Sequence, residues 1–235
     1  MKTNLVLRAQ SILSLKANLF ATAPVFELVD AVKERYSFRE IPSTQTILHP
    51  QPNQPATFIY GKLPPSRAIA VASLEILNYP PHSTAISVTS PKSTDDADIF
   101  LDDLVSFVGA TFQLDTNQVY PRFYQSQLEV ILDGSVKERF DLLQPLGDAI
   151  TNLIKTYGFP AVSKYEPTGF SMYFDPTKAT EPLTLATVFT VERRAQTSFS
   201  ENKYYSQASL KTSDHQAVLE QLEKLLASPR GKMTK

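Results

Sequence analysis

The 235-residue chain has no cysteine and no tryptophan, and only seven glycines. Without cysteine there are no disulfides, no thiolate metal sites and no thiol nucleophile, which fits a reducing compartment. The glycines stand apart at Gly61, Gly109, Gly134, Gly147, Gly158, Gly169 and Gly231. A loop that cradles phosphate needs several glycines close together so that backbone N–H groups can approach the ligand, so neither a Rossmann fingerprint nor a P-loop can be written on this chain. No apolar run approaches the roughly 18 residues of a membrane span. Net charge is also missing: 23 Lys and Arg against 24 Asp and Glu leave −1, so no global field draws in nucleic acid or an anionic membrane.

Residues 1–24 contain no acid, carry Lys2, Arg8 and Lys16, and end in Ala21-Thr22-Ala23-Pro24. Arg8, Gln10, Lys16 and Asn18 interrupt the apolar stretch that a signal peptide requires, so the segment is expected to stay and the protein to be cytoplasmic.

The apolar fraction is 42%, enough for a folded core, and the 17 prolines gather at Pro42–Pro65 and Pro80–Pro81, which read as loops. Leu5, Leu7, Leu13 and Leu15 share one parity and Arg8, Gln10, Ser14 and Lys16 the other, the period of a half-buried strand. Val25, Leu28, Val29, Val32 and Tyr36 fall at helical spacing and predict an amphipathic helix over residues 24–37. Strands are expected at 56–62, 68–77 and 84–90, then a helix capped by Ser93 or Thr94 with a stripe of Ala97, Phe100, Leu101, Leu104 and Val108.

The same order then begins again. A strand is expected at 124–133, where Leu128, Val130 and Leu132 alternate with Gln125, Gln127 and Glu129. It is followed by a helix over 142–157, strands near 169–174, 185–193 and 203–209, and a helix over 214–227. Local likeness recurs at nearly constant offset. Tyr36-Ser37-Phe38 and Tyr157-Gly158-Phe159 lie 121 apart, and Lys92-Ser93-Thr94-Asp95 and Lys211-Thr212-Ser213-Asp214 lie 119 apart. The stripes Phe100, Leu101, Leu104, Val108 and Val218, Leu219, Leu222, Leu226 superpose at 118. The expectation is an α+β fold from tandem duplication of a βαβββα unit, with repeats at 1–112 and 123–228, a basic tail at 229–235 and one continuous domain. The sheet would be curved and largely antiparallel, with helices on one face and a pseudo-twofold relation between the repeats. In topology this resembles the TATA-binding protein family, whose halves also open with a strand and a helix, continue with strands and close with a helix. No family motif accompanies the resemblance, so no functional residue is carried over.

Three groups of polar residues bear on chemistry. Asp95, Asp98 and Asp102 share a helix face beside Asp96 and Asp103, a pattern that would suit a divalent cation and a metal-dependent hydrolase, though acids near a helix N-terminus are also favoured by its dipole. The three histidines, His49, His82 and His215, have no partner at a spacing that marks a dyad, and Glu75 and Glu192 read as solvent-facing strand residues. Basic groupings at Arg193-Arg194 with Lys203, at Lys137 with Arg139, and at Arg230, Lys232 and Lys235 lie near Phe189, Phe199, Tyr204 and Tyr205 and raise a nucleic-acid module. The wet sheet face expected from alternation, Arg8, Lys16, Gln125, Gln127 and Glu129, is mixed rather than basic. The preferred expectation is therefore a non-catalytic binding or adaptor subunit with no cofactor and no metal. It would engage a protein partner, or itself, through the open sheet face and the structureless loop at 39–55, where Ile47 and Leu48 offer apolar contacts.

Overall fold

The computed structural model describes residues 1–16, 19, 23–48, 54–64, 69–79, 83–113, 122–133, 136, 143–157, 165–173 and 188–227. Among the described residues, eight strands and five helices follow one another in a mixed α/β order. They are β1 (Lys2–Leu15), α1 (Val25–Tyr36), α2 (Thr44–Leu48), β2 (Ala56–Lys62), β3 (Ala70–Tyr79), β4 (Ser83–Ser90), α3 (Thr94–Phe112), β5 (Phe123–Ile131), α4 (Gln144–Thr156), β6 (Gly169–Met172), β7 (Phe189–Arg193), β8 (Lys203–Ala208) and α5 (Thr212–Ala227). Every ladder whose register is described is antiparallel. His49, His82, Lys137, Arg139, Gly158, Phe159 and the tail 229–235 lie outside the described residues.

Two compact units emerge. Unit N holds Val6–Gln127 with Ser209–Thr212, and unit C holds Met1–Leu5, Leu128–Ala208 and Ser213–Lys235. Strand order within unit N is β2-β3-β4-β1, and within unit C it is β5-β8-β7-β6. Counted from the opening strand of each, both orders read first, fourth, third, second. The observed elements match the expected ones closely. One departure is α2, a five-residue helix inside the loop read as having no period. Ser43 starts it, its Oγ accepting from the Thr46 N–H at 3.1 Å. Smaller departures are β3, which runs on to Tyr79 rather than ending at 77, and α5, which begins at Thr212, two residues before the expected Asp214.

In unit N, helices α1 and α3 bury their apolar stripes. Leu28, Val29, Val32 and Tyr36 of α1 and Phe100, Leu101 and Leu104 of α3 join Leu13, Leu15, Phe58, Leu74, Ile76, Ile86 and Val88 of the strands in one core. The Tyr36 ring packs 4.5 Å from that of Phe100 between centroids, and edge-on to Phe38 and Phe107. Phe38 in turn lies so close to the backbone of Gly61 in β2 that a Cβ there would collide with its ring. Helix α1 ends at Ser37, whose φ of 51° places it in the left-handed region where such helices are commonly capped. A void of about 10 Å³ between the helices and the strands is lined by Leu15, Leu28, Ile86 and Leu104 among others, room for about one water and wholly apolar.

In unit C the described core residues are Leu128, Val130, Leu132, Val136, Val191, Tyr204, Ala208 and Leu219. Buried polar groups share it: Glu129, Thr151, Ser206 and His215. Helix α4 sits on unit C through its small and polar side. Gly147 and Thr151 are buried, Thr151 Oγ1 accepts from the Tyr165 N–H at 2.9 Å, and a Cβ on Gly147 would strike the Tyr165 carbonyl.

Candidate functional site

Alternation along β1, β4, β3 and β2 sends one side chain in two to the helix-covered core and leaves the others half-exposed. The registers arrange these outward residues of unit N in rows. Ser14, Ala85 and Leu77 form one row; Ile12, Ser87, Glu75 and Thr57 the next; Gln10, Thr89, Ser73 and Ile59 the third. Hydroxyls and short aliphatic groups dominate, and Glu75 is the one charge in the three rows. Gln10, expected to be wet, is buried because its amide donates to Ser87 Oγ on the same face. Glu129, also expected to be wet, is buried in unit C between the Asn4 amide and Arg194 Nε, the latter 3.1 Å away. In both cases a neighbouring side chain of matching polarity folds over the group and removes it from solvent.

The acidic run on α3 is an ion-pair hub of unit N. Asp98 accepts from Ser11 Oγ at 2.6 Å, from Arg122 Nη1 at 3.1 Å and from the Tyr124 hydroxyl at 3.1 Å, with Lys211 Nζ at 3.2 Å. Burial by itself would raise the Asp98 pKa, but the Ser11 and Lys211 hydrogen bonds and the Arg122 charge outweigh it and hold the carboxyl below its usual value. Asp102 pairs with Arg122, and Asp95 lies 3.8 Å from Lys211 Nζ. Asp103 takes a bidentate pair from Arg35 at 2.9 Å and a hydrogen bond from the Tyr36 hydroxyl at 2.8 Å. Burial first, then the Asp103 contact, pushes the Tyr36 hydroxyl well above the ordinary tyrosine range. The face read as a candidate cation site or a solvated surface thus has its carboxylates turned to the protein's own cations. No group of three His, Cys, Asp or Glu able to hold a metal occurs among the described residues.

Beside this hub, α3 and α5 open with reciprocal caps. The Thr94 N–H donates to Thr212 Oγ1 at 3.1 Å, and the Thr212 N–H donates to Thr94 Oγ1 at 2.9 Å. Both hydroxyls are buried, and the residues lie 118 apart, the offset at which the two helix stripes superpose.

In unit C, sequence spacing missed one pair. Ser206 Oγ and His215 Nε2 lie 2.8 Å apart, both fully buried, with the Phe189 ring edge-on to the imidazole at 5.9 Å. Ser206 spends its only hydroxyl proton on the Thr190 carbonyl at 2.7 Å. The imidazole must therefore donate to Ser206, the reverse of the direction in which a general base activates a serine. Burial lowers the His215 pKa to about 4, so the ring is neutral at pH 7. The visible signal was β8 alternation, with Tyr204, Ser206 and Ala208 on the buried parity, opposite the first turn of α5.

The Arg193, Arg194 and Lys203 grouping of unit C is neutralised or covered. Arg194 pairs with Glu129, Lys203 lies 3.4 Å from Glu201, and the Arg193 guanidinium sits 5.5 Å from the centroid of Tyr204, itself buried and closed to base stacking. Glu192 is exposed on β7, in register with Tyr205. No helix among the described residues is long and apolar enough to cross a membrane. No protein-family model matches the chain, and a search of curated proteins finds no relative.

Proposed function

We propose that the protein works by binding, as a non-catalytic or adaptor subunit whose open strand face in unit N docks a protein partner. The observation that carries this reading is the three-row lattice on β1–β4, with short hydroxylated and aliphatic side chains and Glu75 as its one charge. Such a surface gives up little hydration when covered, and its flat rows suit shape-complementary contact. The ion-paired state of Asp98, Asp102, Arg194 and Lys203 supports it against cation chemistry and phosphate binding, since each charge is already spent within the fold.

Tandem duplication of a βαβββα unit belongs to the same proposal, supported by the repeated element order, the repeated strand order and the reciprocal caps 118 residues apart. The likeness to the TATA-binding protein family rests on element order. A cytoplasmic setting is supported by the cysteine-free composition.

The test uses photo-crosslinking residues at Ala85 on the lattice and at Glu34 on the outer side of α1, in cells that express the chain. Adducts to one defined protein at position 85, absent at position 34, removed by Ala85→Arg plus Ser14→Arg and unaffected by moderate salt, are the expected result. Adducts that ignore the double substitution, or binding of nucleic acid that collapses with salt, would overturn the reading.

A further inference from the structure

Glu75 stands within the strand lattice of unit N, not at its rim. Along β3 it lies between Leu77 and Ser73 on the outward parity, and across the strands it is flanked by Ser87 of β4 and Thr57 of β2. It is half-buried, and among the described residues none makes a hydrogen bond or ion pair with it. Asp98, Asp102 and Asp103 of the same unit are all paired. Glu27, Asp30 and Glu34 of α1 also lack ion pairs, but they are exposed and stay hydrated. The cations of the same parity are remote. Arg8 and Lys16 each lie four residues along the chain from Ile12, which stands two strands across from Glu75 in its row, so their Cα positions are roughly 17 Å from that of Glu75. Exposed charges are screened over about 8 Å at physiological ionic strength, and the field of Glu75 is left to whatever approaches the lattice.

We propose that the protein docked on this lattice sets an arginine side chain on Glu75. The inference rests on the lattice being a docking face and names what must meet its one charge. A carboxylate stripped of water with no partner is costly, so the covering surface has to bring a cation. Arginine fits the row better than lysine. Its planar guanidinium grips a carboxylate through two parallel N–H donors and directs further N–H groups sideways, whereas an ammonium is a compact point charge. Hydroxyl oxygens wait on both sides of Glu75, one strand spacing of about 4.8 Å away. Ser87 Oγ accepts from the Gln10 amide and keeps a second lone pair, and Thr57 Oγ1 donates toward the Pro55 carbonyl at 3.5 Å, which leaves its acceptor side open. Leu77, two residues along β3, offers an apolar side to the arginine stem. Once covered, such a pair is little screened, in keeping with a contact that tolerates moderate salt.

The experiment repeats the photo-crosslinking from position 85 of the full chain in backgrounds altered at residue 75. Glu75→Gln keeps the shape of the side chain and removes its charge; it is expected to leave the melting temperature unchanged and to lower the yield of the partner adduct about tenfold or more. Glu75→Arg is expected to abolish the adduct. Mass spectrometry of the adduct is expected to place an arginine within a few residues of the cross-linked site on the partner. Replacing that arginine by glutamate is expected to abolish the adduct with the native chain and to restore it with Glu75→Arg, and replacing it by lysine to lower the yield. Adducts indifferent to both substitutions at residue 75, or a partner segment with no arginine within reach, would overturn the arginine contact and leave the docking reading in place. No adduct at position 85 in any background would overturn both.

Discussion

Helices α1 and α4 occupy the second place in two units of like connectivity and carry apolar residues at matching positions, yet one is sealed and the other is not. Tyr36 closes the α1 stripe inside an aromatic cluster with its hydroxyl held by Asp103, whereas Tyr157, its counterpart, is 67% exposed. A second contrast runs beneath the closing helices. Val88 and Ala97 are buried in unit N, and 118 residues later Ser206 and His215 are buried in unit C. Among the described residues, unit N sets ion pairs at the margin of its apolar core, and unit C sets the Ser206–His215 pair within its own. The difference teaches that equal patterning does not fix equal burial: a helix docks by whichever side fits its neighbour most closely. For α4 that side is the small one at Gly147 and Thr151, which receives Tyr165.

The contrast can be broken most forcefully in the cores. Phe100→Ala is expected to cost about 3–5 kcal/mol of stability in denaturant unfolding, while Leu153→Ala on the exposed stripe stays within about 0.5 kcal/mol. Equal losses would mean that α4 is as buried as α3. The polar pair gives the next largest effect. His215 is neutral in the fold with its pKa lowered to about 4, so its stabilising contribution is present above the unfolded value of 6.5 and lost as pH falls from there toward 4. The loss is on the order of 3 kcal/mol, and it should vanish from the pH profile when Ser206→Val and His215→Ala copy the Val88 and Ala97 arrangement of unit N.

The charged margin of unit N sharpens the comparison further. Asp98→Asn removes the acceptor shared by Ser11, Arg122, Tyr124 and Lys211 and is expected to cost about 1–3 kcal/mol at pH 7. With the Asp98 pKa lowered, its contribution is present above the ordinary value of 3.8 and lost as pH falls through the folded value, an acid limb below that of His215. Urea melts of the two variants across pH 2–8 should therefore each erase a different limb. The smallest effect belongs to the caps. Thr94→Val and Thr212→Val are each expected to cost about 1 kcal/mol and, in a double-mutant cycle, to be non-additive, because each removes the partner of the other's N–H.

Much of this frame was legible in the chain. Period-two runs located β1 and β5, richness in Ile, Val, Phe and Tyr located β2–β4, and a cap at Ser93 or Thr94 with the Phe100, Leu101 and Leu104 stripe located α3, because these signals are local and the core rewards them directly. What stayed hidden depends on groups brought together from afar. The partners of Asp98 come from positions 11, 122, 124 and 211, and nothing in the Asp95–Asp103 run says that three separate segments will supply its donors. Glu129 and Gln10 looked wet because alternation assigns a face but not what folds over it. The orientation of α4 was hidden for a related reason: its apolar stripe argues for one side, and the close approach of Tyr165 to Gly147 selects another.

Thiol reactivity at two matched positions tests the contrast most directly. In the otherwise cysteine-free chain, Val32→Cys in α1 and Leu153→Cys in α4 report on equivalent turns of the two helices. The account predicts that the thiol at 153 reacts with a small disulfide reagent at close to the rate of an unfolded peptide and the thiol at 32 only on unfolding. Comparable protection at both positions would contradict it.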